Sequence, residues 1–256
     1  MIVLMSDIHS NLEALEAVLT QMDPEDEAIC VGDVVGYGPS PNECCDLLRR
    51  RNVRSVMGNH DFVCANLRDM EDEDGEMSPE ERRLCRRLYE CKNPAAQAAS
   101  RWTSSVLTEE NRQWLRGLPV KLQVDGLTLM HGRPGSPEEM LNEYVLPGQG
   151  TEGVAEQVEG ELLVLGHSHI PMRAPRLLNP GSVGQPRDRN WKASYATVDP
   201  VKFRFRFIPK QTMSFRLISQ IVKIRRVSYD IGRTVQKIKD VPELADTLGD
   251  RLTVGI

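Results

Sequence analysis

Short apolar runs that end abruptly in polar residues dominate the N-terminal part of the chain. Apolar residues at helical spacing lie between these runs and predict helices over residues 12–21, with Asn11 as N-cap, and near 42–51. The resulting order is β-α-β-α-β, with polar residues after each strand, at the end where open α/β sheets bind ligands. The apolar runs are predicted to be buried parallel strands: residues 2–6, 27–32 and 53–57.

A segment of different character follows, at residues 62–117. Eight carboxylates fall between Asp69 and Glu81, four arginines come directly after them, and helices are predicted near 79–91 and 94–109. We interpret the segment as a helical insertion with a solvated face. A surface that recognises a charged partner is the alternative.

The remainder of the domain returns to short strands. The Asp125-Gly126 turn predicts a hairpin of residues 119–124 and 127–131, and the run LLVLG at 162–166 predicts another buried strand. Further short strands follow to about residue 208. At their end Phe203, Phe205 and Phe207 alternate with basic residues.

The last part of the chain forms a distinct tail. We assign residues 1–210 to one domain and residues 211–256 to a C-terminal extension that packs on it. Residues 218–227 fit a strand or a helix, and helices are predicted at 230–239 and 242–249.

Composition narrows the class of protein. The 256 residues are 40% hydrophobic and 27% charged, which suits one large globular domain or a domain with an appendage. The net charge of −5 argues against a chain-wide cationic surface, so a nucleic-acid partner is disfavoured. The basic strip at residues 202–239 keeps a nuclease open as an alternative, although a solvated face is the favoured interpretation.

The N-terminus and the cysteines indicate the compartment. Residues 1–5 are apolar but short and lack a basic leader, and no apolar run is long enough to span a bilayer, so we expect a cytoplasmic protein without a membrane partner. The six cysteines form no C-x-x-C pair. We therefore expect reduced thiols and no structural zinc.

Polar residues at the predicted strand ends form a set that fits metal chemistry, and all five histidines fall within it. In extended backbone, residues two apart point the same way, so Asp7 with His9, and His167 with His169, should converge. Carboxylate, imidazole and amide groups bind divalent transition metals, and seven such groups suit two ions sharing one carboxylate. The motifs are Asp7-x-His9, Gly32-Asp33, Gly58-Asn59-His60-Asp61, His131-Gly132 and Gly166-His167-Ser168-His169.

This series of motifs resembles the signature of the calcineurin-like metallophosphoesterases over residues 1 to about 185. The segment Asn179-Pro180-Gly181-Ser182-Val183-Gly184 is similar to one in the small prokaryotic phosphodiesterase-like branch. The resemblance implies an α/β fold, a four-layer α/β/β/α sandwich with the metal site at one edge of its two sheets. The helical insertion at 62–117 would then form a cap, because it leaves directly after His60-Asp61 and returns before the hairpin carrying His131.

The resemblance also implies a role for each motif residue. Asp33 would bridge two metals by giving one oxygen to each. His60 would face the substrate as a general acid, with Asp61 orienting or polarising it. A metal-bridged hydroxide would attack phosphorus in line. The remaining ligands are divided between the ions, with Asp7, His9 and His169 on the first metal and Asn59, His131 and His167 on the second.

Differences from the motifs of related phosphatases narrow the range of expected substrates. Protein phosphatases and dinucleoside tetraphosphatases of the superfamily usually carry GDxxDRG and GNHE, whereas this chain has Gly36-Tyr37 in place of the Asp-Arg pair and Asp61 in place of the Glu. A bidentate phosphate clamp is therefore missing. Arg187 is a candidate replacement. Asn11 is a second candidate substrate contact, with helix capping as its favoured role.

We therefore predict a dinuclear-metal-dependent phosphoesterase that hydrolyses phosphodiesters or phosphomonoesters of small substrates. The alternatives are a phosphatase acting on proteins or dinucleoside polyphosphates, and a non-catalytic scaffold on the same fold. Mn²⁺ is the favoured metal, and Fe, Zn²⁺ or Ni²⁺ also accept this nitrogen and oxygen donor set. A homo-oligomer is compatible with the sequence.

Overall fold

The structure is a computed structural model that describes residues 1–72, 77–199 and 221–256. Its ten strands are β1 (Ile2–Met5), β2 (Glu27–Cys30), β3 (Arg54–Ser55), β4 (Lys121–Val124), β5 (Leu127–Met130), β6 (Leu162–Val164), β7 (Met172–Ala174), β8 (Leu177–Asn179), β9 (Ala193–Val198) and β10 (Val222–Val227). Nine α-helices lie in the described ranges: α1 (Leu12–Leu19), α2 (Pro41–Arg50), α3 (Asn59–Glu71), α4 (Pro79–Glu90), α5 (Pro94–Val106), α6 (Glu109–Arg116), α7 (Pro137–Asn142), α8 (Ile231–Lys239) and α9 (Asp246–Val254).

The described strands form two five-stranded mixed sheets. The first has the order β10-β9-β1-β2-β3, with β1, β2 and β3 parallel and β9 antiparallel to both of its neighbours. The second has the order β4-β5-β6-β8-β7, with β5, β6 and β8 parallel. The parallel strands of each sheet place their following loops at one edge, as open α/β sheets require.

The alternation of side chains along β1 explains the layering. Ile2 and Leu4 join an apolar cluster that contains residues of both sheets, so they pack between the sheets. Val3 and Met5 point the other way and pack against α1 and α2. Residues 140–158, which include part of α7, cover the outer face of the second sheet. The mixed α/β architecture of two sheets flanked by helices confirms the fold class predicted from the sequence.

The insertion contains four helices in its described residues, two more than were predicted. The prediction missed α3, because Asn59, His60 and Asp61 were treated as a loop after β3, and it did not separate α6 from α5. Helix α3 begins at Gly58, whose main-chain N–H donates to Asp61 Oδ2 at 3.0 Å. This capping interaction explains why polar residues open the helix.

The hairpin prediction was correct, and the tail was predicted in part. Asp125 and Gly126 both have positive φ, as a type I′ turn demands, and they join β4 to β5. In the tail, α8 matches the predicted helix, whereas α9 begins at Asp246, later than expected. Residues 222–227 form a strand, and the alternating Phe203, Phe205 and Phe207 lie outside the described residues.

The tail packs on the rest of the chain through polar and apolar contacts. Thr234 of α8 donates to Asn11 Oδ1 at 3.1 Å and to Glu13 Oε2 at 3.0 Å. An apolar cluster joins both tail helices to α5 and to Tyr37. The tail and the insertion therefore meet beside Tyr37. Among the helices that the structure describes, none has the length and apolar character needed to cross a membrane.

Candidate metal centre

Two groups of metal-binding side chains meet at the carboxyl edge of the two sheets. The candidate ligand atoms within each group lie within 4.8 Å of one another, and every one of these residues is buried. Asp33 belongs to both groups. The first group consists of Asp7, His9, Asp33 and His169, and the second of Asp33, His131 and His167.

The backbone brings these residues together in a different way from the one predicted. Asp7 and His9 have φ of 52° and 49°, and His167 and His169 have φ of 66° and 58°. These values lie in the left-handed region, so the strands end in sharp turns and not in the extended backbone that the prediction assumed. Left-handed backbone at non-glycine residues costs of order 1–3 kcal/mol each and is concentrated at functional sites.

Three imidazoles of the two groups are oriented by main-chain carbonyls through Nδ1. His9 donates to Val35 O at 3.1 Å, His131 to Val31 O at 2.8 Å, and His169 to Gln185 O at 2.6 Å. Each of these rings therefore turns Nε2 toward the candidate centre. His167 is reversed, because its Nε2 lies 3.0 Å from Asn142 O and leaves Nδ1 for the centre. Such backing is typical of histidines that bind metal.

Two ring nitrogens of the first group face each other as acceptors. His9 Nε2 and His169 Nε2 lie 3.1 Å apart, and both carry lone pairs when Nδ1 donates to a carbonyl. Asp7 Oδ2 is buried and has no hydrogen-bond partner among the described residues. Acceptors in such contact repel one another unless a cation lies between them. The donor set therefore fits divalent transition metals.

Asn59 completes the second group through its side-chain amide. One terminal atom of the amide lies 3.2 Å from Asp33 Oδ2 and from His167 Nδ1, and the other lies 2.8 Å from Lys92 Nζ. An amide oxygen turned toward the group would be a neutral metal ligand. Asn59 thus lies beside Asp33 and His167.

The pKa values of the side chains in the centre differ strongly from their usual values. Burial raises the pKa of Asp7 to about 7. Burial also lowers the pKa of His9 to about 3, whereas His131 has its pKa raised to about 9 because the Asp33 carboxylate outweighs the effect of burial. The pKa of Asp33 lies well below its usual value, since His131 and His60 outweigh the burial of its carboxylate. These shifts follow from the burial of two carboxylates among several imidazoles.

Asp33 presents one oxygen to both groups, which differs from the predicted one oxygen for each metal. Its Oδ2 lies 3.5 Å from His9 Nε2 and 3.2 Å from His131 Nε2. Its Oδ1 accepts from the main-chain N–H of His60 at 2.8 Å. Gly58 makes this approach possible, because a Cβ there would overlap Asp33.

His60 lies on the open side of the centre. Its ring centroid is 4.9 Å from that of His9 and 4.5 Å from that of Tyr37, and the ring makes no hydrogen bond to any described residue. Burial, followed by the positive charge of Lys92, holds the pKa of His60 well below its usual value. The ring is therefore free to contact a substrate.

The contacts of Asp61 differ from its predicted role, whereas those of Asn11 match its favoured one. Asp61 accepts from Val35 N and from Gly58 N, both at 3.0 Å, so its two oxygens hold main chain and do not orient the His60 ring. Asn11 caps α1 by accepting from Ala14 N at 3.1 Å, and its Nδ2 donates to Gly184 O at 2.9 Å. Capping, the favoured role of Asn11, is the one that the structure gives it.

A cavity of about 430 Å³ opens above the centre. Arg187, the candidate phosphate contact, lies in its wall, and the insertion and the tail also contribute to that wall. Several other lining residues lie outside the motifs and were not predicted from the sequence, among them Lys92, Tyr144 and Arg251. A cavity of this size suits a small ligand.

Comparison with known proteins agrees with this site. Residues 1–202 match the family model of the calcineurin-like phosphoesterase superfamily domain. The whole chain is 34% identical to the protein MJ0912 of Methanocaldococcus jannaschii, 98% of which is covered. The match to this family confirms the resemblance seen in the motifs.

Two solved structures cover the whole chain, including the insertion and the tail. A metallophosphoesterase from Sphaerobacter thermophilus is 30% identical, with 98% of that chain covered and a TM-score of 0.74. The protein PH1004 from Pyrococcus horikoshii OT3 is 24% identical, with 99% covered and a TM-score of 0.75. The second of these likenesses supports the fold alone.

Proposed function

Because the chain belongs to the calcineurin-like phosphoesterase superfamily, we propose that it hydrolyses phosphodiesters or phosphomonoesters of small substrates at a centre of two divalent cations. One geometric feature carries this proposal. Asp33 is common to two groups of buried ligand atoms, so one carboxylate can serve two ions. Two-metal centres of this kind are suited to in-line displacement at phosphorus.

The residues divide between the two ions as follows. Asp7, His9 and His169 would hold the first ion with Asp33, and Asn59, His131 and His167 would hold the second with Asp33. When bound, the cations supply Lewis acidity that neutralises phosphoryl oxygens and lowers the pKa of water. Mn²⁺ is our proposed metal, and Fe, Zn²⁺ and Ni²⁺ suit the same donors.

His60 is the proposed proton donor to the departing oxygen. Its ring lines the cavity without a hydrogen bond to any described residue. Burial holds its pKa well below the usual value, and the negative charge of a bound phosphoester would act in the opposite direction. A positioned acid of this kind contributes about 10²–10⁴-fold to rate.

The wall of the cavity supports a small substrate over a macromolecular one. Cys91, Lys92 and Asn93, at the turn between α4 and α5, lie on one side of it, so the insertion forms part of the rim. Asn142 and Tyr144 follow α7 on another side. We propose that these segments set substrate choice, because they contact the space that the leaving group would occupy.

The test is a substrate panel with the full-length protein. Metal-stripped protein is reconstituted with Mn²⁺, Fe²⁺, Zn²⁺ or Ni²⁺ and assayed on alkyl and aryl phosphodiesters and monoesters, a phosphopeptide, a dinucleoside tetraphosphate and single-stranded DNA. Asp33→Asn, treated identically, is the control for contaminating phosphatases.

The proposal expects hydrolysis of small esters that depends on added metal and is lost in Asp33→Asn. A clear preference for the phosphopeptide would indicate a protein phosphatase, and a clear preference for the dinucleoside tetraphosphate would indicate a dinucleoside polyphosphate phosphatase. Either result would contradict the proposed activity on small esters. Absence of hydrolysis with every metal, in a protein that still binds two equivalents, would favour a non-catalytic scaffold.

A further inference from the structure

The cavity above the metal centre holds more positive charge than one phosphoester needs. Lys92, Arg187 and Arg251 all line it, and they come from the insertion, the loop before β9 and the tail. Asp33 is the one carboxylate among the described lining residues, and it faces the metal ligands. No described side-chain carboxylate lies within ion-pair distance of the three cations.

Arg187 and Arg251 lie near each other in the wall of the cavity. The Arg251 guanidinium carbon lies 5.5 Å from the centroid of the Tyr37 ring, and its Nε donates to Ile256 O at 2.9 Å. Arg187 donates to Gln185 Oε1 at 3.0 Å, while its Nε is buried and has no partner among the described residues. Both guanidinium groups therefore have further N–H groups that can donate to a ligand.

The fold holds these like charges near each other. The main-chain oxygen of Gly255, at the end of α9, accepts from Arg189 N at 2.8 Å, which ties the helix carrying Arg251 to the loop carrying Arg187. Burial, and next the charge of Arg187, lowers the pKa of Arg251. Both guanidinium groups are half-buried and have no described side-chain carboxylate beside them, so a bound anion would be favoured there.

Lys92 lies in the cavity wall beside Asn59. Its Nζ lies 2.8 Å from the Asn59 amide, so it is beside the second group of metal ligands. With two divalent cations bound, Asp7 and Asp33 would neutralise only half of the metal charge. A single phosphoester could balance the rest at the centre, which leaves the two arginines available for another anion.

We propose that Arg187 and Arg251 form a second anion subsite, so that the substrate is a small phosphoester carrying a second phosphate. The phosphate to be hydrolysed lies at the metal centre and the second one on the two guanidinium groups. This inference rests on the proposed function. Arginine suits this role because its planar donors match phosphate oxygens in pairs.

The test measures binding, so that it does not depend on turnover. Titration calorimetry on metal-reconstituted protein compares propane-1,3-bisphosphonate with propylphosphonate, a pair that differs only in the second anion. We expect the bisphosphonate to bind about 10–100-fold more tightly, as charge-assisted hydrogen bonds to one phosphonate would provide. Arg251→Met, which keeps an apolar stem against Tyr37, should remove most of that ratio.

Arg251→Lys should keep part of the ratio, and Arg50→Ala, which removes the same charge from an exposed position on α2, should keep all of it. A ratio that is unchanged in Arg251→Met would overturn the subsite. A second test uses the unaltered protein and bisphosphonates whose spacers run from methylene to pentylene. If all of them bind with the same advantage over the monophosphonate, the metal charge alone explains the binding and the subsite is overturned.

The two proposals fail separately. If no phosphoester is hydrolysed but the Arg251-dependent ratio is found, the subsite stands and the phosphoesterase proposal falls. If simple esters are hydrolysed without any preference for a second phosphate, the phosphoesterase proposal stands and the subsite falls.

Discussion

The main-chain N–H of His60 donates to Asp33 Oδ1 at 2.8 Å, and this leaves Oδ2 of the same carboxylate facing both groups of metal ligands. The residue proposed to face the substrate is therefore connected by one hydrogen bond to the residue common to both groups of candidate ligands. The bond also fixes the rotation of the carboxylate, so that a single oxygen serves both groups.

Asp33→Asn should lower metal content at both sites. The substitution removes the shared negative charge, and loss of a direct ligand should exceed the 10–100-fold affinity loss that follows removal of a residue behind a ligand. Elemental analysis should give about two equivalents for the wild type and well under one for the variant. His9→Ala should lose mainly one ion, and the surface change Asp46→Asn should lose none. Equal retention in Asp33→Asn would contradict a shared ligand.

Metal affinity should rise with pH through the neutral range. Without metal, the pKa of Asp7 is raised to about 7 by burial, and the pKa of His131 is raised to about 9 by Asp33 against the effect of burial. A cation must displace these protons, so affinity should gain about tenfold per pH unit for each proton released. Calorimetry in buffers of different ionisation enthalpy would count the protons, and an affinity independent of pH between 6 and 9 would show the prediction to be wrong.

His60→Asn should separate proton donation from metal binding. The variant should keep both metals and lose about 10²–10⁴-fold on alkyl phosphoesters, whose leaving group needs a proton, but much less on nitrophenyl esters. Steady-state rates on both esters, with metal analysis of the same samples, make the comparison. Equal losses with metals retained would indicate charge stabilisation by the ring, and loss of a metal would make His60 a ligand.

Asp61→Asn should mainly reduce stability. An amide keeps one acceptor for Val35 N or Gly58 N and places a donor against the other, which leaves a buried N–H unsatisfied at a cost of about 1–3 kcal/mol. Chemical denaturation should report this loss, while the alkyl-to-aryl rate ratio stays near that of the wild type. A ratio that shifts as it does in His60→Asn would restore Asp61 as the residue that orients the ring.

Gly255→Ala should loosen the tail. Gly255 ends α9 with φ of 68°, and a Cβ there would lie 2.6 Å from Asn190 N. The left-handed backbone alone costs an alanine about 1–2 kcal/mol. Gly232→Ala is the matched control, because its Cβ would meet only Asp230 Oδ1, at 3.6 Å, and the better helix former should stabilise α8 slightly. Denaturant midpoints for both variants should move in opposite directions, and a shared direction would count against this account.

The sequence predicted the ends of the buried strands to within two residues, because each apolar run ends at a glycine or a polar residue. It placed Asp7, Asp33, Asn59 and His131 in one centre from motif order alone. It did not predict how their backbones turn, since left-handed conformations at Asp7 and His9 depend on tertiary packing that no local pattern reports.

The residues that the sequence could not place are those brought in from distant segments. Arg251 lies in a helix whose sequence carries no functional motif. The packing of that helix, through Gly255 and an apolar cluster, places Arg251 in the cavity wall. Lys92 sits at a turn between two helices of a segment whose composition indicated only solvation. The contacts of Asp61 differ from those predicted for a related reason, because the prediction treated the start of α3 as a loop.

The position of β1 determines how folding can proceed while the chain is being synthesised. β1 is the middle strand of its sheet, with Ile2 paired to Glu27 on one side and to Val198 on the other. A chain leaving the ribosome can pair β1 with β2 early, but the other edge of β1 stays open until β9 has been synthesised. His167 and His169 reach Asp7 and His9 in the same late period. Metal capture therefore follows synthesis of nearly the whole domain, and a nascent chain held by chaperones would carry an unpaired central strand.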